Sequence, residues 1–310
     1  MDEDAVTTVL GGRGVLDARA GEARGRPPWR DARLHRVRRG AYATADAWEA
    51  WGPDDRARVR ATAVAAAARW PPLFSHRSAA AVHGLPVVGW PDNRVHVTTG
   101  PSPGGRSHGD VARHTTAAPP DVLVVGGLHV TTVARTVVDL ARHGGVLPAV
   151  VAGDHALRTG ATSVHEIEDE VARLPPGTRG VRRARTAAVL LDERAESPGE
   201  SLSRVRMAES GLAAPVLQHV VVDAHGVVAR VDFWWPRCRV VGEFDGRVKY
   251  RSGVVPGTRD GVDPADVVWR EKLREDRIRA TGATVVRWTW DEAWSGRAMT
   301  DRLRAAGVPG

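Results

Sequence analysis

Arg230–Tyr250 reads RVDFWWPRCRVVGEFDGRVKY, and its alternation decides how the C-terminal part of the chain is organised. Side chains two apart on a strand share a face. Glu243 and Asp245 therefore point one way, and Val240, Gly242 and Phe244 the other. On the strand before, Asp232 lies on the face opposite Val231 and Phe233. Like charges brought close repel, and a sheet gains nothing from them. A divalent cation removes that repulsion, and hard cations prefer oxygen ligands. Lys249 follows four residues after Asp245. A structural alternative is a set of surface acids at a strand end, paired with nearby arginines.

Working outward, the strand pair extends into a larger pattern. Pro198–Gly199 opens the C-terminal domain, and Ser201–Ser210 reads as a helix with Glu200 at its N-terminal end, able to project toward the sheet. Val216–Asp223 is a strand, residues 224–226 a turn, and Val227–Trp235 the returning strand. Arg237–Asp245 makes a third strand. Asp263 caps a helix with Pro264 in its first turn, ending at Gly282. Thr284–Trp290 is a fourth strand and Asp291 starts a last helix reaching about Ala306. A fourth strand rejoining after a helical crossover implies a mixed sheet with flanking helices.

The rest of the chain divides into two further regions. Residues 1–52 read as a winged-helix-like unit: short helices over Asp4–Leu10, Val15–Ala20 and Pro28–Arg33, then a basic hairpin, LHRVRRGAYA. In that reading the third helix enters the major groove, while Arg30, Arg33, Arg36, Arg38 and Arg39 meet phosphate. The plainer alternative is a solvated arginine-rich hairpin. Residues 53–198 form a mixed α/β middle region ending in a helical connector. Helices are expected over Pro53–Arg69, from Ser75 to His83, Val133–His143, Pro148–Arg158 and Val181–Arg194, with strands at Asn93–Thr99 and Gly127–Thr131. Gly100–Gly109 is a loop whose glycines lack phosphate-loop spacing. His76, His83, His96, His114 and His129 show no metal-ligand spacing with supporting cysteines or carboxylates, and are assigned to surface or core. The fold class is α/β (α+β), with the third domain spanning 199–310.

Composition agrees with an anionic partner. The chain has 310 residues, a net charge of +7 and a pI near 10.6, which favours nucleic acid. Of 44 lysines and arginines, two are lysines, Lys249 and Lys272, both in the last quarter. Lysine is a compact charge that can lose its proton; arginine stays protonated and planar. The single cysteine, Cys238, fits a reducing compartment, and no signal sequence or long apolar run is evident. A cytoplasmic protein with no membrane association is expected.

Glu200, Asp232, the Glu243-Phe244-Asp245-Gly246 block with Lys249-Tyr250, and the helical Glu271-Lys272-Leu273-Arg274-Glu275-Asp276-Arg277 together resemble the PD-(D/E)XK nuclease superfamily. The similarity is to its very-short-patch-repair-endonuclease-like branch and spans about Glu200 to Trp294. It implies a restriction-endonuclease-like fold and Mg²⁺-dependent DNA cleavage. Asp232, Glu243 and Asp245 would hold metal and Glu200 would assist. The family's lysine, two residues after the glutamate, is here Asp245, so Lys249 or Lys272 would take its place. Gln218 corresponds to a polar residue near such sites. Arg274, Arg277 and Arg287 would contact phosphate, or pair with helix acids. Residues 34–42, 75–81, 83–86 and 131–140 resemble a second group, AbiEi-type (type IV) antitoxin-like proteins, which bind DNA as repressors. That resemblance implies an alternative: a non-catalytic DNA-binding transcriptional regulator that retains a nuclease fold. An antitoxin role would also need a toxin encoded beside it.

Overall fold

The computed structural model describes residues 7–10, 13–17, 30–100, 107, 109–116, 120–246 and 264–310. It is an α/β protein of helices and mixed sheets, in two compact units, Met1–Leu191 and Asp192–Gly310. No helix among the described residues is long and apolar enough to cross a membrane.

The first described elements of the N-terminal unit are strands where short helices are expected. β1 (Thr7–Leu10) pairs antiparallel with β2 (Arg13–Asp17), in a register that sets Leu10 opposite Arg13. The helices expected over Asp4–Leu10 and Val15–Ala20 are thus corrected to strands over 7–10 and 15–17, their remaining residues lying outside the described ones. The reason is local: Thr7, Thr8, Val9 and Val15 are β-branched, and two glycines separate the strands. The basic hairpin follows as β3 (Leu34–Arg38) and β4 (Ala41–Thr44), completing a four-stranded sheet of order β1-β2-β4-β3. Of the third expected helix, Pro28 and Trp29 lie outside the described residues, and residues 30–33 form a tight turn ahead of β3. Among the described residues no α-helix precedes the hairpin, and Arg30 has 3₁₀ geometry. Helices α1 (Ala45–Ala50) and α2 (Pro53–Ala67) come next. Trp48 of α1 and Val59 and Ala63 of α2 form a small core with Ala41 and Ala43 of β4.

A five-stranded sheet builds the rest of this unit. Its strands are β5 (Leu73–Phe74), β6 (Val95–Thr99), β7 (Val111–Thr115), β8 (Val122–Val125) and β9 (Leu128–Thr131), ordered β7-β6-β5-β9-β8. β6 runs parallel to β7 and β5 parallel to β9, while β5 with β6 and β8 with β9 are antiparallel. Phe74, Val95, Val97, Leu128 and Val130 point into a core closed by Ala61 and Val64 of α2. Helix α3 (His76–His83) leaves β5 directly and stops at Gly84, whose φ of 76° is the left-handed conformation that suits a helix C-terminus. Helices α4 (Val133–Gly144), α5 (Val146–Arg158), α6 (Val164–Ala172) and α7 (Val181–Leu190) complete the unit. The last ends four residues earlier than its sequence pattern suggests.

The C-terminal unit keeps the expected order. Helix α8 (Pro198–Glu209) precedes the meander β10 (Val216–Asp223), β11 (Gly226–Trp235) and β12 (Val240–Asp245). Helix α9 (Pro264–Ala280) crosses over to β13 (Thr284–Thr289), which pairs parallel with β12. Asp263, the expected cap of α9, lies outside the described residues. The final helix is two, α10 (Trp290–Ser295) and α11 (Arg297–Ala305), broken at Gly296 with φ 75°. Trp288, 1% exposed, packs on Phe233 and donates from Nε1 to Ser203 Oγ at 2.8 Å. Gly242 makes that approach feasible, because a Cβ there would meet the Trp288 ring at 2.6 Å.

Candidate functional site

Two of the carboxylates expected to act together, Asp232 and Glu243, lie on adjacent strands of the C-terminal sheet. The β11–β12 register ends at the pair Phe233–Gly242, and Asp232 of β11 and Glu243 of β12 are the next residues beyond it, opposite each other if the register is extended one step. The register between β10 and β11 sets Gln218 opposite Asp232 on the other side, and Glu243 is paired with Arg287 of β13. Residues opposite one another across a sheet share a face. The row is therefore Gln218, Asp232, Glu243, Arg287. Gln218 adopts a φ of 52°, which interrupts the ladder and turns its amide to Glu200 Oε2 at 2.9 Å. Such a conformation is uncommon outside glycine and is retained only where surroundings impose it.

Glu200 enters from the start of α8. Ser197 is the N-cap, accepting from Glu200 N at 3.2 Å and donating to Glu200 Oε1 at 2.7 Å. Glu196 N donates to the other oxygen at 3.0 Å. A capping arrangement of this kind satisfies helix donors that lack an intrahelical partner. The same carboxylate thus caps α8 and joins it to Gln218.

Asp232 is held differently. Its Oδ2 accepts one hydrogen bond, from Phe244 N at 2.9 Å. Burial pushes its carboxyl up to about 6, with the negative charges of Glu200 and Glu243 adding to the rise, against the Phe244 bond and Arg274. Glu243, 9% exposed, bears two ion pairs: Arg274 at 2.5 Å on Oε1 and Arg287 at 2.9 Å on Oε2. Arg287 also reaches Glu275 at 3.2 Å.

The other expected residues are placed less centrally. Asp245 is half-buried at the end of β12. It does not join Asp232 and Glu243 in a set of three donors close enough to share one cation, among the described residues. Lys272 is exposed on α9, and Lys249 lies outside the described residues. Arg277 pairs with Asp223 at 2.8 Å. In the N-terminal unit, Arg33 is bound by Asp31 at 2.8 Å and Arg38 stands 3.4 Å from Asp110, while Arg30, Arg36 and Arg39 are exposed.

In the N-terminal unit, His76 and His96 are buried, in keeping with a surface or core assignment, but they also belong to a cluster that the sequence spacing did not reveal. His76 begins α3, His96 lies on β6, His114 on β7 and His143 in the last turn of α4. Parallel pairing puts Thr98 beside His114, so His96 and His114 share one face of adjacent strands. His76 Nε2 shares a hydrogen bond with His143 Nδ1 at 2.8 Å, and His96 Nδ1 with His114 Nε2 at 2.9 Å. The rings of His76 and His114 stack at 3.7 Å. Each of His76, His114 and His143 offers a ligand atom, all within 4.8 Å of one another. Burial is the chief cause holding all four imidazoles below their usual pKa: His96 to about 4, His114 to about 3, His143 lower than normal and His76 well below it. The sequence spacing concealed this group, because its members come from four separate elements. His83 is elsewhere, bound to Thr131 O at 2.8 Å.

Two uncharacterized proteins of Mycobacterium tuberculosis, from two strains, are each 34% identical to this chain over 162 residues. The match covers 52% of this chain and 55% of each relative, so the chain spans about half the length of the curated relatives it matches. No family model and no solved structure matches.

Proposed function

We propose that this is a DNA-binding protein whose C-terminal unit hydrolyses DNA phosphodiesters with Mg²⁺. One observation carries the reading: Asp232 and Glu243 adjoin the Phe233–Gly242 pair on adjacent antiparallel strands, and the charges of Glu200 and Glu243 both raise the Asp232 pKa. Buried carboxylates gathered this way are costly unless a positive charge joins them. Two carboxylates, with water and substrate phosphate in the remaining positions, are a usual Mg²⁺ donor set. Asp232 and Glu243 would hold the ion, which when bound supplies charge stabilisation at the phosphoryl oxygens. Glu200, fixed by Ser197 and Gln218, keeps a negative field on Asp232. Arg274 and Arg287 neutralise Glu243 and stand where a phosphate could draw them away. Lys272, or Lys249, would supply the lysine that Asp245 replaces.

The pairing of Glu243 with two arginines also favours a second reading. A carboxylate satisfied by guanidinium groups needs no metal, so the unit would then contact DNA without cutting it, as a regulator of the antitoxin-like type. A plasmid-nicking assay with and without Mg²⁺, on wild type and Asp232→Ala, separates the two. The nuclease reading expects Mg²⁺-dependent nicking that is lost in Asp232→Ala. Absence of nicking on varied DNA substrates, together with absence of Mg²⁺ binding, leaves the regulator.

A further inference from the structure

The histidine cluster of the N-terminal unit has no part in that chemistry, and its construction calls for an explanation. His76 is 1% exposed and adopts a φ of 53°. A non-glycine residue in the left-handed region is strained, and such strain persists only where the surroundings impose it. Ser75, the residue before it, occupies the N-cap of α3, where serine usually bonds a helix amide. Here its side chain makes no cap bond; its hydroxyl lies 2.8 Å from His76 Nδ1. With the Nδ1 proton donated to Ser75 Oγ, the Nε2 lone pair faces His143. Fixing one ring nitrogen by a hydrogen bond so that the other presents its lone pair is how metal-binding histidines are oriented.

We propose that His76, His114 and His143 bind a divalent transition-metal ion, zinc being the one this donor set suits best. Three neutral imidazoles match zinc, whereas Mg²⁺ prefers oxygen. Two nitrogens bonded to one tetrahedral zinc at about 2.05 Å stand about 3.3 Å apart. The 2.8 Å between His76 and His143 and the upper limit of 4.8 Å within the group bracket that value, and the stacked His76 and His114 rings would turn for their lone pairs to converge on one ion. The three histidines line a cavity of about 230 Å³, which leaves room for a fourth ligand. Its wall also carries Thr98, Thr115, Arg113, Arg135 and Arg142, a lining suited to water or a small oxyanion. The arginines do not forbid a cation. Asp139, 1% exposed, takes Arg135 and Arg142 at 3.0 Å each, and Glu170 lies 3.8 Å from Arg135. His96 is the neighbour that hydrogen-bonds His114 and orients its ring.

The test is calorimetric titration of Zn²⁺ into chelator-stripped full-length protein, with Co²⁺ absorption reporting nitrogen coordination. His143 is exposed, so His143→Ala should leave the fold intact, which circular dichroism checks. Wild type is expected to bind one equivalent of Zn²⁺. His143→Ala and His114→Ala should lose more than the roughly tenfold to hundredfold that follows removal of an orienting partner. Ser75→Ala should fall within that smaller range. Cys238→Ser and Asp232→Asn should bind as wild type, which keeps this site separate from the carboxylates and from the free thiol. The proposal is overturned if wild type takes up no stoichiometric Zn²⁺, if His143→Ala and His114→Ala bind unchanged, or if Cys238→Ser alone abolishes binding.

Discussion

In the C-terminal unit, Asp232, Glu243 and Glu200 are gathered among cations and hydrogen-bond donors; in the N-terminal unit, four imidazoles are gathered among one another. Glu243 is paired with Arg274 and Arg287, and Glu200 is surrounded by Ser197, Glu196 N and Gln218. The histidines have shed charge instead, since burial and mutual repulsion hold all four neutral at neutral pH. Charged oxygens with movable counter-cations suit a hard ion that arrives with a phosphate. Neutral nitrogens with fixed orientation suit a borderline ion that stays bound. The two clusters therefore differ in which ion they accept and in how pH acts on them.

The largest expected effect follows from the histidines in metal-free protein. An imidazole whose folded pKa lies below its unfolded value, about 6.5, leaves the unfolded chain to bind protons first, so stability falls as pH drops below that value. His96 and His114, held at about 4 and about 3, place the loss between pH 7 and pH 4. On the order of 6 kcal/mol should disappear from the N-terminal unit over that range, and about half as much in His114→Gln. Denaturant unfolding at a series of pH values measures it.

Asp232 should behave in the opposite sense. Its folded pKa, about 6, lies above the unfolded value of about 3.9, so the folded state holds the proton longer and the carboxylate costs stability as pH rises through this window. Asp232→Asn keeps an acceptor for Phe244 N and removes that cost. The variant should exceed wild type by about 3 kcal/mol at pH 7 and lose the advantage below about pH 4. An advantage independent of pH would mean that Asp232 does not titrate there.

A smaller change comes from Arg274→Ala. Among the described residues it leaves Glu243 with Arg287, and it removes a charge that lowers the Asp232 pKa. A loss of about 2 kcal/mol is expected, below the cost of breaking a fully buried pair because Arg274 is partly exposed. Carboxyl chemical shifts should show the Asp232 titration moving upward. Smallest is Ser75→Ala, at about 1 kcal/mol for one hydrogen bond, with a change in His76 tautomer visible in nitrogen shifts.

The C-terminal meander is legible because alternation holds along β11 from Ala229 to Trp235 and because proline and glycine mark the turns. The row Asp232–Glu243 followed once those strands were paired antiparallel. The two arginines on Glu243 were not foreseen as a pair, since α9 and β13 carry several arginines and only packing selects Arg274 and Arg287. The N-terminal hairpin was misread as helix because short segments lack periodicity; Thr7, Thr8 and Val9 were the signal that outweighed it. The histidine cluster was hidden by topology. His96 and His114 meet because β6 and β7 are parallel, and His76 meets His143 because β5 lies between β6 and β9, an order that local sequence does not encode. Serine before His76 was a usable clue, though it reads first as a helix cap.

The most direct test of this division is paired titration of Mg²⁺ and Zn²⁺ into wild type, Asp232→Asn and His143→Ala. The account predicts that Asp232→Asn loses Mg²⁺ binding and retains Zn²⁺, while His143→Ala loses Zn²⁺ and retains Mg²⁺. Loss of both ions in the same variant, or Mg²⁺ binding unchanged in Asp232→Asn and Zn²⁺ binding unchanged in His143→Ala, would contradict it.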